Sequence, residues 1–545
     1  DWSSDVCSAD LQVMNRYLDL ELSNQNSFNT PAPYRVWPIL AAYCVLWTLV
    51  QWISEPNLDS YYDMLENYGW SQTFAWGTFK HPPFFAWVVG AWFKVFPVSD
   101  LSYKAMAYAN VAVALAGVVA LARQLGLTRL SHGAVFLLFL SFPYTTLAAK
   151  FNANAQLLSL WPWTAVIFLR ALHAQGLRAF LTALALGALA AACMLSKYYS
   201  GVFLLSLLVV AVFQREGRQW LLTPWPYLAL GVFAIGMYPH YQWLAAHEFA
   251  TFVYASEQSD ASILWLRILK FFFMPLLYVF PAWLASAALF AWANPQAKSA
   301  RFIQFGKNLL LALRPNGWGD ALFWFSWVPV VTTVLFGVCD VVTPEAPWAI
   351  PLGFAFSLIW LRNLSTRSSE HDLTQVLNTL HSWSLKGLGY LTVLGLSLTF
   401  YWANEGHEEY YRPIEIASHQ IASDWQKRHP QLPLQWSAGD WGLNAMMGFY
   451  ADPKIQALPN LPDSWEASVS PVHNWQSKGG VIVCELGKGH PSETQLQSNA
   501  CVQNTIAWLQ TRKIDATPIV YDLTRQGWRF PRQLAFGYAV FHYVP

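Results

Sequence analysis

Long apolar runs recur along the first four hundred residues and then stop. They fall at roughly 36–53, 103–122, 131–148, 155–172, 179–195, 199–214, 222–240, 264–292, 320–339, 347–362 and 386–403. A helix needs about 20 mostly apolar residues to cross the hydrocarbon core of a bilayer, so the pattern predicts eleven spans. A further run, Phe84–Phe96, is short, is flanked by Pro82-Pro83 and Pro97, and carries Lys94. It predicts a helix lying on the membrane surface rather than across it. Beyond Ala403 charges, prolines and turns mix with short β-like runs such as Gly480–Cys484 and Pro518–Tyr521. The expected fold is a polytopic α-helical membrane protein with a C-terminal soluble α/β domain. Its expected parts are a transmembrane region at 14–403, a first external loop at 54–102 and the soluble domain at 404–545. Residues 1–13 are set aside as a non-native segment, because DWSSDVCSADL before Met14 reads like a translated adapter.

Composition agrees with that pattern. Of 545 residues, 55% are apolar and 12% charged, the latter about half of the ~25% typical of soluble domains. A disordered chain would be polar and charged. With 33 Lys+Arg against 32 Asp+Glu, there is no basic excess to hold nucleic acid. Charge also sets sidedness. If 84–96 does not cross and the N-terminus is cytoplasmic, the cytoplasmic segments hold Arg123, Arg129, Arg170, Arg178, Arg215, Arg218, Lys298, Arg301, Lys307, Arg314, Arg362 and Arg367. The first external loop instead carries Glu55, Asp59, Asp63 and Glu66. This is the positive-inside distribution. It predicts a multi-pass inner-membrane protein with the first loop and the C-terminal domain in the periplasm.

A loop of that length at a membrane surface is usually functional. Asp59, Asp63 and Glu66 are spaced to share a helix face, a pattern that a merely solvated acidic face would also give. The order Leu58-Asp59-Ser60-Tyr61-Tyr62, then Gly77-Thr78-Phe79-Lys80-His81-Pro82-Pro83, resembles the opening of the GT-C type membrane glycosyltransferases. Most similar is the protein O-mannosyltransferase-like, family 39-like branch. That branch includes the lipid A aminoarabinose transferases and the RgtA/B/C/D-like transferases of lipopolysaccharide core. The resemblance continues through Lys150–Asn154, Ser196-Lys197-Tyr198 and Tyr238–Trp243, with a weaker match from Gly439-Asp440-Trp441 to Phe449-Tyr450.

The resemblance implies transfer of a sugar from a polyprenyl-phosphate donor to an external acceptor: an envelope glycan such as lipopolysaccharide, a lipid or a protein. Asp59 falls on the catalytic aspartate, a general base that deprotonates the acceptor hydroxyl, with inversion at the anomeric carbon. His81, beside Lys80, takes the place of the basic residue before Pro-Pro. With Lys197 these are the expected donor-phosphate ligands, because cations at membrane edges are costly without a partner. Lys150 is a further edge cation, while Arg267 and Lys270 are expected to snorkel to the headgroups. Tyr62, Asn154, Tyr198, His240 and Glu345 are expected to line the substrate cleft. Two departures stand out. Ser60 replaces the glutamate after the catalytic aspartate, and Asn154 replaces a second acidic residue. An asparagine oxygen can ligate a cation but brings no charge, so a divalent metal at Asp59 and Asn154 is left open.

No P-loop and no GxGxxG follows a strand, which fits a lipid-linked donor. His247-Glu248 lacks the second histidine of a zinc-hydrolase motif. No CxxC suggests structural zinc. Cys484 and Cys501, the cysteines of the external domain, are expected to form a disulfide in an oxidising compartment. Two other classes fit the composition: a flippase or transporter of lipid-linked sugars, and a catalytically silent envelope scaffold. Interrupted mid-membrane helices in repeats would favour the transporter. The acidic residues lie outside the spans instead.

Overall fold

The computed structural model describes residues 36–545 except 56, 59–61, 258–263, 294–299, 406–410, 441, 470–471 and 527–532. The first membrane helix is α1 (Val36–Ser54). The loop after it folds into α2 (Asp63–Ser71) and α3 (Phe84–Phe93). The ten residues of α3 rise only about 15 Å, half the hydrocarbon thickness, so α3 cannot cross alone. Next come α4 (Asp100–Gln124) and α5 (Thr128–Leu138). Helix α4 starts where the Ser99 side chain accepts the Ser102 N–H, satisfying one of the otherwise unpaired first-turn donors.

Then follow α6 (Ala153–Ala171), α7 (Gly176–Ser196), α8 (Ser200–Phe213), α9 (Arg215–Leu221), α10 (Trp225–Ala246) and α11 (Ala250–Glu257). After these come α12 (Leu264–Ala293), α13 (Arg301–Ala312), α14 (Ala321–Val338), α15 (Phe356–Ser365) and α16 (Glu370–Glu405). Among the described residues, five helices are long and apolar enough to cross: α1, α4, α7, α12 and α14. Two bent pairs bring the number to seven, α5 with 142–149 at 86° and α8 with α9 at 104°. The stretch expected as one span at 131–148 is thus broken after Leu138, and α16 begins at Glu370 rather than near 386. Large buried side chains fill the bundle, among them Trp161, Trp360, Tyr43 and Tyr108. Arg362 grips Asp320 with two parallel hydrogen bonds, and the same carboxylate caps α14.

The C-terminal part opens with α17 (Ile414–Arg428). It is built on a five-stranded sheet of β1 (Leu434–Gly439), β2 (Gln456–Ala457), β3 (Gly479–Lys488), β4 (Ile519–Gln526) and β5 (Gln533–Tyr543). The order is β2-β1-β3-β5-β4, with β1 parallel to β2 and β3, and β5 antiparallel to β3 and β4. Val481, Val483, Tyr538 and Val540 share a core with Met64, Leu65, Phe85 and Tyr103 of the membrane part. The sheet is therefore seated on the first loop, not tethered beyond it. The opposite face packs on α18 (Trp465–Val469), α19 (Glu493–Ser498) and α20 (Ala500–Thr511). Cys484 and Cys501 form a disulfide, Cα atoms 5.7 Å apart, joining β3 to α20.

Candidate active site at the first loop

The site is assembled where the first loop meets the ends of α6 and α7. Asn152 caps α6 by accepting the N–H groups of Asn154 and Ala155, and its amide reaches the Asp63 carboxylate at 3.4 Å. Asp63 also takes the Lys150 ammonium at 2.9 Å. One turn along α2, Glu66 is buried and pairs with Lys80 at 3.0 Å. Just past the end of α7, Lys197 donates to the Asn154 side-chain oxygen at 2.6 Å and lies 5.3 Å above the Trp348 ring. Lys80, Lys150 and Lys197 thus gather around Asp63, Glu66 and Asn154. Those six side chains come from four separate stretches of chain.

Electrostatics divide the cations. Burial opposes charge on Lys80, but Glu66, Tyr254 and Asp63 outweigh it and hold its ammonium above the ordinary lysine value. Burial lowers Lys197 to about 7, against the pull of Asp63 and Glu345, with Lys80 adding to the depression. Burial, together with Lys80 and Lys197, holds His81 well below its usual value. His81 is therefore neutral at pH 7, able to offer a ring N–H to an anion but no charge. Its ring stands edge-on to Trp70 and Phe85. The Thr78 hydroxyl and backbone close a turn on the His81 main chain, which sets the ring's approach.

Other expected residues divide between support and a second locality. His240 is fully buried. One ring nitrogen lies 2.6 Å from the Trp76 carbonyl, so it carries the proton, and the other accepts the Tyr198 hydroxyl at 2.6 Å. With both nitrogens engaged, His240 pins α10 to the first loop rather than facing the cleft. Tyr198, also 3.1 Å from the Thr251 hydroxyl, belongs to the same pin. Glu345 pairs with Arg267, so Arg267 has a fixed partner and does not merely snorkel. The Tyr62 hydroxyl turns toward the C-terminal domain, donating to Glu485 at 3.0 Å and accepting from Arg412 at 2.8 Å. Asp59 lies outside the described residues. The Asn154 oxygen is taken by an ammonium group, so this donor does not fit a divalent cation beside Lys197.

Sequence reasoning missed the Asp63–Lys150 and Glu66–Lys80 pairs, although it had singled out every member but their pairing. It missed Lys104 altogether. Lys104 sits inside α4 with no exposure, donating to the Leu58 carbonyl at 2.8 Å and pairing with Glu55. A lone lysine in an otherwise apolar helix was the available signal.

The GT-C resemblance is borne out. Residues 80–243 match the sequence model of the dolichyl-phosphate-mannose-protein mannosyltransferase family. The structure of ArnT from Cupriavidus metallidurans in the apo state matches with a TM-score of 0.52 at 14% identity, covering 92% of this chain and 97% of that one. The same protein bound to undecaprenyl phosphate matches with a TM-score of 0.48 at 15% identity and the same coverage. No curated protein sequence matches the chain. The chain therefore shares the overall fold of ArnT, a multi-pass helical membrane part carrying a C-terminal sheet domain.

Proposed function

We propose that the protein is a glycosyltransferase of the bacterial inner membrane that moves a sugar from a polyprenyl-phosphate carrier to an acceptor in the periplasm. The acceptor is an envelope glycan, lipid or protein. The observation that carries this reading is the gathering of Lys80, Lys150 and Lys197 beside the loop that bears Asp59. Three cations at a membrane edge suit a lipid phosphate. In this reading the chain crosses eleven times, with the first loop and residues 404–545 outside.

Asp59 takes the proton from an acceptor hydroxyl while that oxygen attacks the anomeric carbon. The bond from that carbon to the phosphate oxygen breaks, and its electron pair leaves with the phosphate. Attack opposite the leaving group inverts the centre. Lys80 and Lys197 stabilise the charge developing on the phosphate, and the neutral His81 adds a hydrogen bond. The leaving group is already a stable anion, so no general acid is required. Asp59→Asn tests the assignment. Mass spectrometry of envelope glycolipids should show one sugar residue missing, while folded protein still accumulates in the membrane. Normal product from that variant removes Asp59 from the mechanism.

A further inference from the structure

Where the first loop meets the C-terminal domain, away from the lysine group, lies a cavity of about 490 Å³. Its walls come from Tyr62 of the loop, Arg412 of the connection, Asp440, Glu485 and Lys488 of the domain, and the start of α20 at Ala500. Tyr62 and Asp63 are consecutive, yet one faces this cavity and the other faces Lys150. A single turn of chain therefore separates two sites, and the base proposed at Asp59 is three residues away in sequence from this one.

The chemistry of the walls narrows the ligand. Two cations, Arg412 and Lys488, are matched by two carboxyl groups, Asp440 and Glu485, so the cavity has no net charge. The groups are held in place. Glu485 pairs with Arg412 at 3.4 Å, and its backbone N–H donates to Asp440 at 2.7 Å. The side chain of Asn499 fixes the corner by bonding the Glu485 carbonyl and capping α20. The guanidinium lies over the Tyr62 ring, 5.4 Å from its centre, and the buried Phe536 closes the floor. A phosphate would leave this balanced set net negative, unlike the lysine group where three cations face two carboxylates, and an amine would leave it net positive. Sugar hydroxyls can both donate to the carboxylates and accept from the guanidinium. The volume suits about one to two sugar rings, within the usual range of small-molecule sites.

We propose that this cavity is the acceptor subsite and holds a neutral saccharide segment of the acceptor, away from the donor phosphate. The proposal rests on the glycosyltransferase reading above. Ala500 is exposed and lines the cavity, so Ala500→Trp plugs it without disturbing the core, and Ala500→Ser is the control. The assay uses the full chain in membranes, an envelope extract from cells lacking the gene as acceptor, and native mass spectrometry with undecaprenyl phosphate as the donor-side probe. Ala500→Trp should raise the half-saturating acceptor concentration at least about tenfold and leave undecaprenyl phosphate binding unchanged, with Ala500→Ser like wild type. Raising salt from about 50 to about 300 mM should move half-saturation less than about twofold, because a neutral ligand is not screened. Wild-type half-saturation in Ala500→Trp, loss of lipid-phosphate binding in that variant, or a steep salt dependence overturns the subsite. If Asp59→Asn abolishes transfer while Ala500→Trp is indifferent, only the subsite falls. If Asp59→Asn transfers normally, the enzyme reading falls and takes the subsite with it.

Discussion

Lys104 and Tyr103 are adjacent in α4 and hold the two flanks of the segment that carries Asp59. Lys104 holds Leu58 and Glu55, and the Tyr103 hydroxyl donates to the Met64 carbonyl at 3.1 Å. A fully buried lysine is rare unless paired. Its charge-assisted hydrogen bonds contribute on the order of 1.5–3 kcal/mol, at the lower end here because Glu55 is 45% exposed and partly screened. Lys104→Met should therefore cut transfer by about tenfold, equivalent to ~1.4 kcal/mol in the barrier, with Lys104→Arg recovering part of it. Product formation in membranes checks this, and undecaprenyl phosphate binding should be unchanged. Lys197 yields a pH prediction. With its value lowered to about 7, the free protein loses this charge as pH rises through neutrality. Undecaprenyl phosphate should bind more weakly at pH of about 9 than about 7, a window in which the lipid phosphate is already largely dianionic, and Lys197→Arg, always charged, should flatten the profile. Stability runs the other way. Between about 7 and the free-lysine value near 10.4 the unfolded chain holds more proton, so this residue's contribution to stability rises with pH across that window. A binding curve flat in pH for the unaltered protein would contradict the assignment of Lys197 to the phosphate.

Helices alone do not place the loop; close contacts between elements do. A Cβ on Gly77 would lie 2.2 Å from the Trp243 ring of α10, beside the hydrogen bond from His240 to Trp76. Gly77→Ala should destabilise by about 1–3 kcal/mol, as overpacking does. A thermal melt in detergent measures it, and a second change, Trp243→Leu, should restore much of the loss because the two positions touch. Gly442 makes the same kind of contact from the other side. Its φ of +75° suits glycine, and a Cβ there would lie 2.1 Å from that of Tyr62. The hydropathy pattern alone marked α3 as a short apolar helix, since its length and flanking prolines suffice. It did not reveal the break after Leu138, because the apolar composition simply continues through Phe142-Pro143-Tyr144, which turns as a 3-10 segment.

At the scale of the whole molecule, the C-terminal sheet and the first loop fold as one body. Asn57 donates to the Arg412 carbonyl, Arg525 donates to the same carbonyl at 3.0 Å, and Gln72 bonds the Ile455 carbonyl and the Ala457 N–H. The disulfide closes 17 residues beside the proposed acceptor cavity. Cys501→Ala should remove about 3 kcal/mol from the domain, read as a lower unfolding temperature that reductant produces equally in the unaltered protein. Sidedness is tested by a reporter fused after Pro545. Alkaline phosphatase should be active there, and activity of a cytoplasmic reporter instead would reverse the topology.

What the sequence determined by itself is the membrane class, the short apolar helix after the first loop's Pro-Pro and the stretches where cations and carboxylates accumulate. Those depend on local composition and on lengths set by the bilayer. What only the tertiary structure decided is which charge meets which. Asp63 with Lys150, Glu66 with Lys80, Asn154 with Lys197 and Tyr62 with Glu485 are pairs separated by between 14 and 423 residues. Such pairs leave no periodicity in one chain, because they arise from the packing of elements against each other and not from the repeat of any one of them.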